Sequence, residues 1–336
     1  MISTQEKDTV TFVKELNTLF TQASRIAISG HIRPDGDCVG SCMGLYHYIN
    51  NNYNLDNNKQ IDVYLEEVPE TFLYLLDSDK IQTEAKETSY DLFVSLDCGS
   101  IDRLGPFDAT FQQAKTTVNI DHHISNTLFA RYNHVEADAS STCEVLSAMF
   151  EESQIDLASA TALYTGIIHD TGVFKHANTK RRTMELAGML LSKGVDNTKI
   201  ILESFFEKTY VQNQILGRCL LESMLVLQEK VIISTVNRKQ MEFYSATNSD
   251  LDGIIDKLRE TKGVEVAVLI HETDLGEYKV SMRSNGDVDV SKIATYFGGG
   301  GHIRAAGCSM KGSIYDVINN LNLHIENQMK SLGLLK

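Results

Sequence analysis

The stretch RIAISGHIRPDGD (25–37) decides the fold. Its first half, RIAISG (25–30), is a short apolar run, the pattern of a buried strand. Its second half is a polar loop that puts His31, Asp35 and Asp37 directly after that strand, and the helix-like VGSCMGLYHYIN (39–50) follows. The arrangement recurs. IDVYL (61–65) is a further strand candidate, DLFVSL (91–96) runs into Asp97-Cys98-Gly99, and TTVNI (116–120) runs into Asp121-His122-His123. SATALYTGIIHD (159–170) is apolar at helical spacing and reads as a buried helix, followed by Thr171-Gly172. Strands alternating with helices predict an α/β fold with a mostly parallel sheet.

In open α/β sheets the carboxyl ends of the strands converge on one crevice, where ligands bind. One Asp-Gly or Pro-Asp pair after a strand is an ordinary turn. Four acidic or histidine-rich clusters at four such positions point instead to one shared site. So many carboxylates would repel one another and resist ionisation unless a cation neutralised them. Mixed Asp and His donors suit divalent first-row metals, and two ions about 3.5–4 Å apart form the usual clamp for phosphoryl displacement.

Beyond residue 183 the pattern is helical: TMELAGMLLSKG (183–194), KIILESFFEK (199–208) and VQNQILGRCLLESML (211–225). VIISTV (231–236), VEVAVLIHE (264–272) and EYKVSMRS (277–284) then read as strands of a second, smaller unit. LDGIIDKLRE (251–260), VSKIATYF (290–297) and a final stretch at 313–332 read as its helices. The expected organisation is a first domain at 1–194, a helical linker at 195–230 and a second domain at 231–336.

With 31 Lys and Arg against 45 Asp and Glu, the chain carries a net charge of −14. Long duplex nucleic acid, whose non-specific binding rests on phosphate neutralisation, is a poor partner for it. Small anionic substrates need a metal or a local basic pocket. The six cysteines (38, 42, 98, 143, 219 and 308) form no CxxC pair and read as reduced thiols. No unbroken apolar run is long enough for a membrane span, and the N-terminus lacks a signal-peptide core, so a cytoplasmic protein without a membrane partner is expected.

These motifs together resemble the DHH phosphoesterase superfamily. The first appears as His31-Ile-Arg-Pro-Asp35-Gly-Asp37 with Gly40-Ser41, the second as Asp97-Cys98-Gly99, and the third as Asp121-His122-His123 with Ser125-Asn126. The fourth is Gly166-Ile-Ile-His169-Asp170-Thr171-Gly172, and GGGGHIRAAG (298–307) is similar to the DHHA1 signature. The resemblance spans nearly the whole chain and is strongest to the NrnA type, the nanoRNA hydrolases and pAp phosphatases.

It implies a parallel-sheet DHH domain, a smaller mixed-sheet DHHA1 domain and an active site in an interdomain cleft. It implies two Mn²⁺ ions per site, with Co²⁺ or Mg²⁺ as substitutes. His31 and Asp35 would hold one ion, Asp37, His122 and Asp170 the other, and Asp97 both. Asp97 and His123 would be catalytic, with His123 facing the scissile phosphate and a two-metal hydroxide attacking phosphorus. Arg283, Ser284, Gly299, Gly300, Gly301 and His302 would grip the substrate. Short 5′-phosphorylated RNAs would be cut to mononucleotides and pAp to AMP. A cyclic di-AMP or pApA phosphodiesterase is the alternative, and a silent nucleotide-binding protein is disfavoured because every motif ligand is intact. The GGGGH element argues against a family II pyrophosphatase, and a homodimer is compatible with the resemblance. One departure is Cys38, at a position where the family often has Ala.

Overall fold

The computed structural model describes residues 9–85 and 89–335. They divide into two units, one ending at Glu207 and the other starting at Lys208.

The first unit runs α1 (Thr9–Gln22), β1 (Arg25–Ser29), α2 (Gly36–Tyr53), β2 (Gln60–Tyr64), β3 (Leu92–Leu96), α3 (Asp108–Gln113), β4 (Thr116–Asp121) and β5 (Tyr132–Val135). It continues with α4 (Thr142–Met149), α5 (Leu157–Asp170), α6 (Arg181–Ser192), α7 (Asn197–Ile201) and a π-helical turn, Leu202–Phe206. The sheet order is β2-β1-β3-β4-β5, every pairing parallel. Because strand side chains alternate, Ile26, Ile28, Val94, Val118 and Ile120 reach the main core with α1, α2, α4 and α5. Ala27 and Phe93 face the other side, in a smaller cluster with Tyr64, Tyr90, Phe107 and Phe111.

Glycine sets how closely α2 and α5 pack. A Cβ at Gly40 would come within 2.5 Å of the Ala162 carbonyl, and one at Gly166 within 2.7 Å of Asp37 Oδ1. The close crossing brings the first turn of α2 and the last turn of α5 towards the strand ends.

The second unit runs α8 (Tyr210–Leu221), β6 (Met224–Val226), β7 (Val231–Val236), α9 (Arg238–Tyr244), α10 (Ile254–Arg259), β8 (Val266–Asp274) and β9 (Glu277–Ser284). It ends with α11 (Val290–Tyr296), β10 (Gly300–His302), β11 (Ala305–Lys311) and α12 (Ile314–Ser331). The sheet order is β10-β11-β9-β8-β7-β6, with β7 and β8 parallel and the other pairs antiparallel. α11 and α12 bury Val268, Ile270, Val280 and Met282 on one face, while α8 and α10 bury Ile232, Ala267 and Leu269 on the other.

The architecture is the expected one: α/β, a parallel sheet and then a mixed one. Several local readings change. The helix expected over 211–225 stops at Leu221, and Met224–Val226 becomes an edge strand on Val231–Ile233. Leu227, Gln228 and Glu229 all adopt positive φ and turn the chain back, so cross-strand pairing overrides a weak helical preference. β5 and α4 had no counterpart in the sequence reading. The glycine run is a hairpin strand, with Gly300 opposite Gly307 and His302 opposite Ala305. Within 195–230, α7 and the π-helical turn belong to the first unit, while α8 buries Ile215 and Cys219 in the second. Among the described residues, no helix is long and apolar enough to cross a membrane.

Candidate active site

At the carboxyl end of β1 the chain leaves the sheet, and Asp35 caps α2. Its Oδ1 accepts from the Asp37 and Cys38 N–H groups, both at 3.1 Å, satisfying two donors of the helix start. Asp37 thereby points inward from the first turn and is fully buried. Asp97 ends β3 with φ 51°, a left-handed conformation that costs a non-glycine residue roughly 1–3 kcal/mol and is concentrated at functional sites. β4 delivers His122 and His123, and the last turn of α5 delivers Asp170.

These side chains meet. His31 Nε2 lies 3.4 Å from Asp97 Oδ2 and 3.7 Å from Asp35 Oδ2. His122 Nε2 lies 3.2 Å from Asp170 Oδ2, 3.5 Å from Asp97 Oδ1 and 3.9 Å from Asp37 Oδ2. His122 thus links Asp97 to Asp37 and Asp170. All six residues expected to hold metal fall in this one cluster.

Its electrostatics call for positive charge. Burial, then Asp97 and Asp170, push the Asp37 carboxyl well above the usual range, and burial raises Asp170 as well. Burial works against protonated histidine, yet hydrogen bonding to Asp35 and Asp97 carries His31 up to about 12. Against the same opposition, Asp170 with Asp37 and Asp97 carries His122 up to about 10. Four converging carboxylates, of which Asp37 and Asp97 are buried, draw protons onto the imidazoles and onto Asp37, and so have the charge and donor set to take divalent cations. The residues therefore fit divalent metal. Three donor groups each bring their ligand atoms within 4.8 Å of one another: His31–Cys38–Asp97, Asp97–His122–His123 and Asp37–His122–Asp170.

Two supporting features escaped the sequence reading. The first is Asp121, the opening residue of the third motif. Its buried carboxylate accepts from the His122 N–H at 2.8 Å, the His123 ring at 2.7 Å and the Asn126 amide at 2.5 Å. An ionised carboxylate only accepts, so His123 carries its proton on Nδ1. The second is the N-terminus of α4, where Thr142 and Cys143 donate their N–H groups to Asp37 at 2.6 and 2.9 Å. The Thr142 hydroxyl donates to Asp97 Oδ1 at 3.1 Å. The signal for α4 was present: Ser141 and Glu144 have the Ser-x-x-Glu spacing of a helix start, and Ser141 Oγ accepts from the Glu144 N–H at 3.0 Å. Glu144 in turn accepts from the Ser140 and Thr183 hydroxyls, which ties α4 to α6.

His169 stays outside the cluster. Its ring packs over Gly36, bonds Ser204 Oγ at 3.0 Å, and is held neutral as burial lowers its pKa to about 4. His134 is a core residue stacked on Phe12 and bonded to Glu136.

In the second unit the expected grip residues are arranged differently. Gly300, Gly301 and His302 are exposed on edge strand β10. Gly299 and Gly301 lie so close to β11 that a Cβ would come within 2.2 Å of the Gly307 carbonyl and 2.5 Å of the Ala305 carbonyl. Arg283 on β9 stands opposite Ala305, partly exposed, its Nε 3.9 Å from Asp256. Ser284 is not beside it. Successive strand residues point to opposite faces, and Ser284 is buried with a hydroxyl that has no hydrogen-bond partner among the described residues. Lys279, Ser281, Gly298, Gly299, Gly307 and Ser309 line a cavity of about 380 Å³ on this sheet.

Comparison with known proteins agrees with the geometry. Residues 25–167 match the DHH family, N-terminal domain, and residues 228–331 match the DHHA1 domain. The chain is 28% identical over 294 residues to the bifunctional oligoribonuclease and PAP phosphatase NrnA of Thermus thermophilus, covering 85% of this chain and 84% of that protein. It is 27% identical over 331 residues to the cyclic-di-AMP phosphodiesterase GdpP of Bacillus subtilis, covering 93% of this chain but 49% of that one. In fold it matches the crystal structure of an exopolyphosphatase-related protein from Bacteroides fragilis, with TM-score 0.85 and 23% identity over 96% of this chain and 97% of that one.

Proposed function

Because this chain belongs to the DHH family and continues into a DHHA1 domain, we propose that it is a metal-dependent phosphoesterase. Its substrates on this reading are short 5′-phosphorylated oligoribonucleotides, hydrolysed to mononucleotides, and pAp, hydrolysed to AMP. The observation that carries the proposal is the buried convergence of Asp37, Asp97, Asp170, His31 and His122 at the carboxyl end of the parallel sheet.

His31 and Asp35 would hold one ion, Asp37, His122 and Asp170 the other, with Asp97 common to both and Mn²⁺ the proposed metal. Bound there, such ions would supply positive charge to the phosphoryl oxygens and lower the pKa of a bound water. The protein's own part is positioning and charge. The left-handed turn at Asp97 aims its carboxylate inward, and the α4 N–H groups hold Asp37 in one orientation. Asp121 orients His123 and, as the main cause, raises its pKa, favouring an imidazolium whose Nε2–H is offered to a phosphate oxygen. In the second unit Arg283 and His302, beside the glycine strand, would bind the end of the substrate that does not react, so that remote binding energy serves alignment.

The similarity to GdpP favours a second reading, hydrolysis of cyclic di-AMP or pApA. One assay separates the two. The protein is incubated with Mn²⁺ or with EDTA, and with pAp, pApA, a ladder of short 5′-phosphorylated RNAs, cyclic di-AMP and pyrophosphate separately. Mn²⁺-dependent turnover fastest on pAp and the shortest RNAs supports the first reading. Fastest turnover of cyclic di-AMP moves the assignment to the second, and no turnover of any phosphoester removes both.

A further inference from the structure

The proposed metal centre contains one soft donor among its oxygens and nitrogens. Cys38 Sγ, a His31 ring nitrogen and an Asp97 carboxylate oxygen lie within 4.8 Å of one another, and all three residues are buried. Cys42, Cys98 and Cys143 are also buried in this unit, yet among the described residues Cys38 alone of the cysteines joins such a donor group.

Two constraints keep the thiol there. The Cys38 N–H donates to Asp35 Oδ1, so the cap that places Asp35 and Asp37 also places Cys38. Across from it, a Cβ on residue 30 would sit 2.3 Å from Sγ, so Gly30 at the end of β1 leaves the space the sulfur occupies. The sulfur is thus packed at the edge of the donor cluster on a rigid first turn.

We infer that Cys38 is a metal ligand, giving the His31 side of the centre a thiolate, so that this position takes Zn²⁺ or Co²⁺ more readily than oxygen and nitrogen donors alone would. The inference rests on the metal-centre reading above. Thiolates favour softer and borderline ions, whereas carboxylates suit Mg²⁺ and Mn²⁺. The Asp37–His122–Asp170 group has no cysteine among its donors, the neighbouring Cys143 thiol bonding instead to the Asp37 carbonyl at 3.7 Å, so the two positions would differ in the ion they prefer. On coordination the Cys38 thiol gives up its proton to solvent, so binding at this position releases acid.

The probe is Co²⁺ added to metal-stripped, reduced protein, followed by optical absorption. A thiolate ligand produces an intense near-ultraviolet charge-transfer band, whereas oxygen and nitrogen donors alone give only weak visible bands. Wild type should show the band, and Cys38→Ala should bind Co²⁺ without it. Competition between Zn²⁺ and Mn²⁺ should show Cys38→Ala losing about tenfold or more of the wild-type preference for Zn²⁺. Cys42→Ala, whose sulfur packs against the same Gly30, controls for lost packing and should keep the band. If Cys38→Ala does not fold, Cys42→Ala, Cys98→Ala and Cys143→Ala must each retain it. Stoichiometric Co²⁺ binding with weak visible bands and no charge-transfer band in wild type overturns the inference and leaves the metal centre standing. A band that survives Cys38→Ala, or disappears in one of the other three variants, also overturns it. No stoichiometric Co²⁺ binding removes the metal-centre reading itself.

Discussion

The two candidate regions are built on opposite terms. In the first unit the centre of the cluster is buried and its groups contact one another: Asp37 and Asp97 lie at 0% and 2% exposure, and His122 reaches three carboxylates. In the second unit Gly300, Gly301 and His302 are exposed, and Arg283 is held by a hydrogen bond to the Met282 carbonyl and a long contact to Asp256. Buried charge must be compensated within the protein or by an ion, whereas exposed polar groups stay hydrated until a ligand displaces the water. The contrast teaches which region should fail outright when altered and which should fail in degree.

The largest effect should come from Asp97→Ala. It removes the carboxylate proposed to serve both ions, and turnover should fall on the order of 10³-fold or more on every substrate. A variant keeping over about a tenth of the wild-type rate would erase the distinction between the regions.

Next comes Asp121→Asn, which leaves the proposed ligands in place but replaces the acceptor for the His123 ring. A loss of about 10–100-fold in kcat is expected, with metal stoichiometry by elemental analysis unchanged. Loss of bound metal would make Asp121 part of the metal site and not a positioning residue.

Arg283→Ala and His302→Ala test the exposed region. Each should bind Mn²⁺ normally and lose roughly 10–100-fold in kcat/KM on dinucleotides, the range expected for one charge-assisted phosphate contact. A small chromogenic phosphodiester lacking the distal group should be affected far less. Equal losses on both substrates would show that the second unit is no grip.

The smallest effect concerns a carboxylate in the first unit that has its own partners. Hydrogen bonding to His134, with Arg182 beside it, lowers Glu136 from 4.5 to about 2. Its folded pKa lies below its unfolded one, so its contribution to stability is present above pH 4.5 and lost as pH falls towards about 2. Wild type should melt higher than Glu136→Gln at neutral pH, and the difference should shrink through that window. Because Glu136 is compensated by protein groups, the difference should be the same with and without Mn²⁺. A metal-dependent difference would couple Glu136 to the buried cluster.

Most of the strands and the proposed ligands were legible because both signals are local. An apolar run ending in a polar loop marks a strand end, and His31, Asp97, His122 and Asp170 stand at or just beyond such ends or a helix end. β5 was missed because YNHV has four residues and no long apolar run. Ser284 was grouped with Arg283 because adjacency in sequence is proximity, yet the pleat sends neighbours to opposite faces.

The sequence by itself determined the two-part α/β order, most of the strands and the chemical class of the donor cluster. Those follow from periodicity and turn chemistry, which act over a few residues. Only the tertiary structure decided that Thr142 and Cys143 donate to Asp37 across about a hundred residues of chain, and that Met224–Val226 pairs as an edge strand. It also set Cys38 beside His31 and Asp97. Those contacts depend on strand register and on how closely α2 and α5 cross, and both are set by packing across the whole unit.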